Sequence, residues 1–199
     1  MLVGPFVKNR PICAAVWVEE DKVAEPEPTS KLFCRLARNS AGDLFTINYL
    51  FDLPVGVTVF DAARALFIVY NTDSPEPTRS PVPPQPRPCP KGFPPEAPSE
   101  EPEYVFGIPC YRRSLREAAE EREIWYSYEY DVYARTVSRL PGYGTTVWRL
   151  DEVTLGEPPA ELFKEASILA SLPELIRNIS KIAGDFLPGL TERDDFPNL

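Results

Sequence analysis

Histidine is absent from the 199 residues of this chain. With it go the Ser-His-Asp and Cys-His nucleophilic systems and the commonest transition-metal ligand, because no other side chain titrates near neutrality without help from its surroundings. Carboxylate, lysine and tyrosine chemistry survive that exclusion. Cysteine is sparse and scattered: Cys13, Cys34, Cys89 and Cys110 form no C-x-x-C pair and have no histidine beside them, so no zinc-site spacing and no metal or other cofactor is expected. Their even number permits two disulfides in an oxidising compartment. The stretch Met1–Pro11, however, lacks the apolar core of a secretory signal. Reduced, mostly buried thiols and an intracellular setting, in cytoplasm or within a virus particle, are therefore the expectation. No apolar run approaches the ~18–20 residues that cross a bilayer, so no transmembrane segment is expected.

Positive charge is also short. Lysine and arginine number 21 against 30 acidic residues, for a net charge of -9. The one basic cluster, Arg112, Arg113 and Arg116, is followed at once by Glu117, Glu120 and Glu121. Binding a phosphate backbone relies on clustered cations that release counterions, so no direct nucleic-acid partner is expected.

Proline, by contrast, is abundant, with 24 residues, 12 of them between Ser74 and Pro102. Each one removes a backbone donor and fixes φ, which favours extended polyproline II over helix or central strand. Within this segment, Pro81, Pro83, Pro84, Pro86 and Pro88 could serve as a ligand for an aromatic groove of the SH3 or WW type. The same composition equally describes an insertion or linker that packs no core of its own. The second reading is preferred, because P-x-x-P matches arise freely in any stretch this rich in proline.

Around the insertion the chain reads as strands. Ile12–Val18 is a short apolar run, Lys31–Arg38 and Asp43–Phe51 flank a turn at Asn39–Asp43, and Val57–Phe60 and Ala65–Tyr70 are β-branched and aromatic. Pro54 and Gly56 are expected to break the connection between the third and fourth of these. Tyr104–Tyr111 reads as a further strand. Ser114 and Glu117 have capping-box spacing, which predicts a short charged helix to about Glu123. From Ile124 to Val137 the pattern alternates, with Ile124, Tyr126, Tyr128, Tyr130, Val132 and Ala134 on one face and Ser127, Glu129, Asp131 and Arg135 on the other. Pro141–Gly144 makes a turn, and Thr145–Leu155 pairs antiparallel with its predecessor. The period then changes: Leu162, Phe163, Ala166 and Leu169 mark one helix, and Leu172, Leu175, Ile176, Ile179, Ile182 and Ala183 a second that ends at Gly184.

These elements predict a mainly β (α+β) chain: an antiparallel β-sandwich or jelly-roll-like body with a long Pro-rich insertion and a C-terminal helical pair. Residues 1–73 and 104–156 form the two halves of the body, 74–103 the insertion, 157–186 the helical segment and 187–199 an acidic tail.

Three constellations could carry function. The acid pairs Glu129/Asp131, Asp151/Glu152 and Asp194/Asp195 are the minimum for glycosidase-type acid/base work or for a hard cation. Solvated surface explains them more simply. The aromatic residues Trp125, Tyr126, Tyr128, Tyr130, Tyr133 and Trp148 could stack sugars, but such rings are enriched at protein interfaces, which is the preferred reading. The stripe containing Leu172, Ile176 and Ile179 suits docking on its own sheet or on a neighbouring subunit. Its polar face carries only Arg177 and Lys181, too few cations for a membrane surface.

A strand-rich body with long inserted loops resembles the jelly-roll coat proteins of icosahedral viruses, and Asp194-Asp195-Phe196 is similar to a short acidic motif of insect picorna-like capsids. The resemblance implies a virion subunit and assigns no residue a role. The leading expectation is thus a non-catalytic structural or interaction protein whose partners are other protein subunits in a homo- or hetero-oligomer. A carboxylate- and tyrosine-dependent enzyme, or an adaptor presenting its proline segment, are the alternatives.

Overall fold

A computed structural model describes residues 10–25, 27–50, 52–70, 76–82, 92–170 and 172–173. Its strands are β1 (Ile12–Lys22), β2 (Thr29–Arg38), β3 (Leu44–Leu50), β4 (Leu53–Asp61), β5 (Leu66–Tyr70), β6 (Thr78–Pro81), β7 (Glu103–Val105), β8 (Ile108–Glu117), β9 (Glu120–Ser127), β10 (Val132–Leu140) and β11 (Gly144–Leu155). They form one antiparallel sheet in the order β6-β5-β4-β3-β2-β1-β11-β10-β9-β8-β7. Two meanders, each contiguous in sequence, therefore lie side by side and meet at the β1–β11 seam. That seam runs from Ile12↔Leu155 to Lys22↔Gly144 and shifts register between Cys13 and Ala15.

Several expected elements take a different form. Ser114–Glu123 is not a helix: β8 runs to Glu117 and β9 begins at Glu120, because Tyr111, Leu115 and Ile124 serve a common apolar cluster that a helix would scatter. The single strand expected over Ile124–Val137 is a hairpin that turns between Ser127 and Val132, with Asp131 at φ 47. Tyr104–Tyr111 is likewise a turn flanked by β7 and the start of β8. Pro54 and Gly56 lie inside β4, and Pro54 faces Tyr49 where the β3–β4 register shifts, a place that tolerates a missing donor. The β2–β3 hairpin, the β4–β5 pair and the antiparallel β10–β11 pair form as the alternation predicts.

Of the helical C-terminal segment, the structure describes a short 3₁₀ helix at Ala160–Phe163 and helical backbone at 165–170 and 172–173. Leu162, Phe163, Ile168 and Leu172 cover an apolar cluster of Ala37, Phe45, Val57, Val59 and Ile68. The rest of the second helix of the expected pair, with Ile176 and Ile179, lies outside the described residues, as does the acidic tail.

The sheet is curled. Arg38, at the end of β2, donates from Nη2 to the carbonyl of Tyr130 in the β9–β10 turn and to that of Arg10 at 3.0 Å. β2 and β10 are three places apart in the sheet, ~14 Å if flat, beyond the reach of one arginine. The turn must therefore fold over toward β2. The largest core cluster agrees, joining Ile12, Val16 and Leu36 to Ile108, Cys110 and Val132.

Candidate functional site

Three features of the described residues could bind something: an aromatic socket, a cleft and an exposed hairpin tip.

The socket is built by β8, β9 and β10. Alternation places Tyr111, Arg113 and Leu115 of β8 on one face beside Ile124 and Tyr126 of β9, with Tyr133 of β10 next to them. Phe93 plugs it and is only 7% exposed. Its ring lies 5.3 Å from that of Tyr126 and 6.3 Å from that of Tyr128, and the Arg113 guanidinium sits 5.9 Å from its centre. The Tyr128 hydroxyl donates to the Pro94 carbonyl at 2.8 Å, and Arg113 pairs with Glu100 at 2.8 Å. Gly92 approaches so closely, at φ +82, that an added Cβ would lie 2.5 Å from Leu115 Cδ2. Residues 92–100 of the proline-rich segment are thus a strap held on tyrosines, and two of the rings expected to face a partner, Tyr126 and Tyr128, pack against its Phe93.

Behind the socket lies a buried polar centre. The Tyr126 hydroxyl donates to Asp131 Oδ1 at 2.5 Å, and the Ser127 hydroxyl accepts from the Tyr130 amide at 3.3 Å. Asp131, Ser127 and Arg38 are all buried. Glu129 and Asp131 therefore do not share a solvated strand face, because the turn separates them. Asp131 points inward, while Glu129 pairs with Arg10. Phe93 and the turn seal this tyrosine–carboxylate pair from solvent, which suits a structural lock rather than a substrate site.

The cleft, of about 750 Å³, lies between the β2–β3 turn, the β4–β5 turn and the C-terminal segment. Val59, Ile68, Phe163 and Ile168 form its apolar part. Its carboxylates are already engaged: Asp43 accepts from the Ala62 amide and Asp61 from the Arg64 amide, both at 2.9 Å, and Glu165 pairs with Arg79 at 2.8 Å. Burial and the nearby Glu165 charge push the Tyr70 phenol upward, so it stays protonated at neutral pH.

The third feature is the β7–β8 hairpin. Val105 pairs with Ile108 across Phe106 and Gly107, whose φ values of 52 and 78 both lie in the left-handed region, as a type I′ turn demands. Tyr104 is 74% exposed and Phe106 44%. β7 ends the sheet, and in a two-residue hairpin the Tyr104–Pro109 pair is the one that exchanges no hydrogen bonds. The Tyr104 backbone amide and carbonyl therefore point to the open edge. A second apolar tip pairs Val23 with Tyr143, each 73% exposed, through a 3.1 Å bond from the Val23 amide to the Tyr143 carbonyl.

The other residues named from sequence scatter. Tyr130 packs in the largest core cluster, away from Tyr126 and Tyr128. Trp148 on β11 meets Phe33 edge to face, with centroids 4.8 Å apart. Trp125 stands between the guanidiniums of Arg112 and Arg135, at 5.0 and 5.2 Å, and donates to Glu103 at 2.8 Å. Pro81 ends the edge strand β6, opposite Leu66, while Pro83, Pro84, Pro86 and Pro88 lie outside the described residues. Asp151 pairs with Arg149, and Glu152 with Arg35 at 2.5 Å. Asp194 and Asp195 lie outside the described residues. Cys13, Cys34 and Cys110 are free thiols, and burial pushes Cys34 and Cys110 up to about 12. Among the described residues, no group of three or more cysteines and carboxylates is placed to hold a metal, and no helix is long and apolar enough to cross a membrane.

No family model and no curated protein matches the chain. Solved structures with some similarity include PNGF-II, at 11% identity and a TM-score of 0.44 over 82% of this chain and 32% of that one. This chain therefore spans about a third of PNGF-II. A LolA-superfamily protein from Nitrosomonas europaea is similar at 7% identity and a TM-score of 0.38, covering 81% of this chain and 93% of that one. A DUF1329-family protein from Desulfovibrio piger is similar at 9% identity and a TM-score of 0.34, covering 80% and 91%.

Proposed function

We propose that this chain is a non-catalytic interaction protein that works as a subunit of a larger protein assembly, of which a virus particle is one concrete kind. The observation that carries this reading is Phe106. A bulky side chain in the left-handed region costs ~1–2 kcal/mol, which asparagine or glycine would avoid, and an exposed apolar ring gains nothing from solvent. Retaining that ring beside the exposed Tyr104, on the open edge of the last strand, suits an anchor that enters a pocket on another protein. Backbone groups at the β7 edge add the hydrogen bonds of strand addition.

A sandwich or jelly-roll closure of the curled sheet belongs to the same proposal. The Arg38 contact with the β9–β10 turn and the cluster joining β1 and β2 to β8 support it. The enzyme alternative loses ground to the engagement of each carboxylate in the cleft and the sealing of Tyr126 and Asp131. The adaptor alternative rests on Pro83, Pro84, Pro86 and Pro88, which lie outside the described residues; the neighbouring Phe93 and Pro94 are held by the chain's own tyrosines.

The test is light scattering after size exclusion. The chain should run heavier than one copy, and the paired substitution Y104S/F106N should reduce that mass without lowering the melting temperature.

A further inference from the structure

We infer that β7 pairs with β7 of a second copy of this chain, antiparallel about a two-fold axis at Tyr104. The inference rests on the interaction reading above and deepens it by naming the partner and the register.

The two edges of the sheet differ in what they offer another strand. At β6 the Val82 amide donates to the Ala65 carbonyl at 2.8 Å, so by alternation the backbone groups of Pro81 and Arg79 turn outward. Pro81 has no amide to give, and a proline whose missing donor faces the open side guards an edge against pairing. β7 carries no such guard. Glu103 and Val105 spend their backbone groups on Cys110 and Ile108, while those of Tyr104 face out and are bonded by no other described residue.

With one outward residue in each copy, few registers are open. Tyr104 opposite Pro102 would lose a donor and set Glu103 against Glu103 of the other copy, a like-charge pair. Tyr104 opposite Phe106 would run the ladder into left-handed backbone. Tyr104 opposite Tyr104 has neither fault: the two residues exchange both hydrogen bonds, and Glu103 faces Val105. The Glu103 carboxylate already accepts from Trp125 Nε1 at 2.8 Å, so it brings no unpaired charge to the contact.

In this register Phe106 of each copy comes opposite Pro102 of the other and beside its Tyr104. Rings that are 44% and 74% exposed in one copy gather at the joint, which supplies the apolar contact that the strained Phe106 lacks alone. The contact is isologous, so it closes as a pair and leaves the guarded β6 edges outermost. β7 is only 3 residues long, which puts the interface in the small, weak class and makes pairing depend on concentration.

The experiment follows the Tyr104 amide by NMR hydrogen exchange in ¹⁵N-labelled chain over a roughly hundredfold range of concentration. Its exchange should slow at least about tenfold toward high concentration, because its acceptor lies in the other copy. Tyr104→Cys should form a disulfide-linked pair on mild oxidation, since facing residues of this kind have Cα atoms about 5.5 Å apart. Glu103→Cys should not link to itself but should link to Val105→Cys when the two variants are mixed, with the wild-type chain and its own thiols as the control. A Tyr104 amide that exchanges at one rate at every concentration would overturn the pairing, and self-linking of Glu103→Cys would overturn the register. If Y104S/F106N still reduces the mass when the Tyr104 amide stays unprotected, the rings enter a pocket instead and the interaction reading stands. If no concentration yields more than one copy, both fail.

Discussion

The Phe93 ring stands 5.3 Å from the ring of Tyr126, and the hydroxyl of that tyrosine reaches Asp131 at 2.5 Å. One residue thus ties the proline-rich strap on one side to the buried polar centre on the other. Truncating Phe93 to alanine should cost about 3–5 kcal/mol, at the scale of an aromatic lost from a core. Phe93→Leu should cost under about 1.5 kcal/mol. Urea denaturation monitored by tryptophan fluorescence measures both, and hydrogen exchange should show residues 92–102 losing protection first.

Removing only the hydroxyl separates the two roles. Tyr126→Phe keeps the ring against Phe93 but strips a buried carboxylate of a donor, which should cost about 1–3 kcal/mol. Tyr111→Phe, outside the polar centre, should cost less than about 0.5 kcal/mol. Equal effects in thermal melts would show that the Asp131 contact contributes nothing.

Glycines separate by what surrounds them. Gly92→Ala meets Leu115 at φ +82, and Gly144→Ala meets the Asp21 carbonyl and Lys22 Cα at φ +123. Gly107→Ala and Gly142→Ala meet open space and bear only the backbone strain. The first pair should lower the melting temperature several degrees more than the second. Leu115→Ala, whose side chain is flexible, should restore part of the loss at Gly92 and none at Gly144.

Acid should destabilise the protein. Hydrogen bonds from Lys31, Arg122, Arg112 and Arg149 hold Glu20, Glu120, Glu123 and Asp151 below their ordinary values of 4.5 and 3.8. Each carboxylate binds its proton more readily when the chain unfolds, so its contribution is present above the ordinary value and lost as pH falls through the lower, folded one. Melting temperature should be flat from pH 7 to about 5 and fall below about 4.5. The groups are exposed, so Arg112→Ala should change stability at pH 7 by no more than about 1 kcal/mol.

Much of the sheet was legible because alternation is a local property. The β2–β3 hairpin and the β10–β11 pair needed only neighbouring residues to declare themselves. Tyr128–Asp131 was not legible as a turn, since Tyr-Glu-Tyr-Asp contains no glycine, proline or asparagine. What bends it is the contact of Arg38 and Tyr126 with that stretch, made by residues distant in sequence or on the preceding strand. Ser114–Glu117 matched a helix cap, yet Leu115 is claimed by Gly92 and Phe93, a demand that no local window contains. Tyr126 and Tyr128 stood out as binding aromatics, but their occupant, Phe93, was hidden among prolines that read as a segment unable to pack. Phe106 went unmarked because its meaning lies in a backbone angle, not in its residue type.

The interaction reading turns on Tyr104 and Phe106, and its most direct test is sedimentation velocity of the wild-type chain beside Y104S/F106N over a hundredfold range of concentration. We expect wild type to sediment faster than a single copy. We expect the variant to shift to smaller species while gaining about 1 kcal/mol of stability, because asparagine relieves the left-handed strain at position 106. A wild-type chain that sediments as one copy throughout, with the variant indistinguishable from it, would contradict the account.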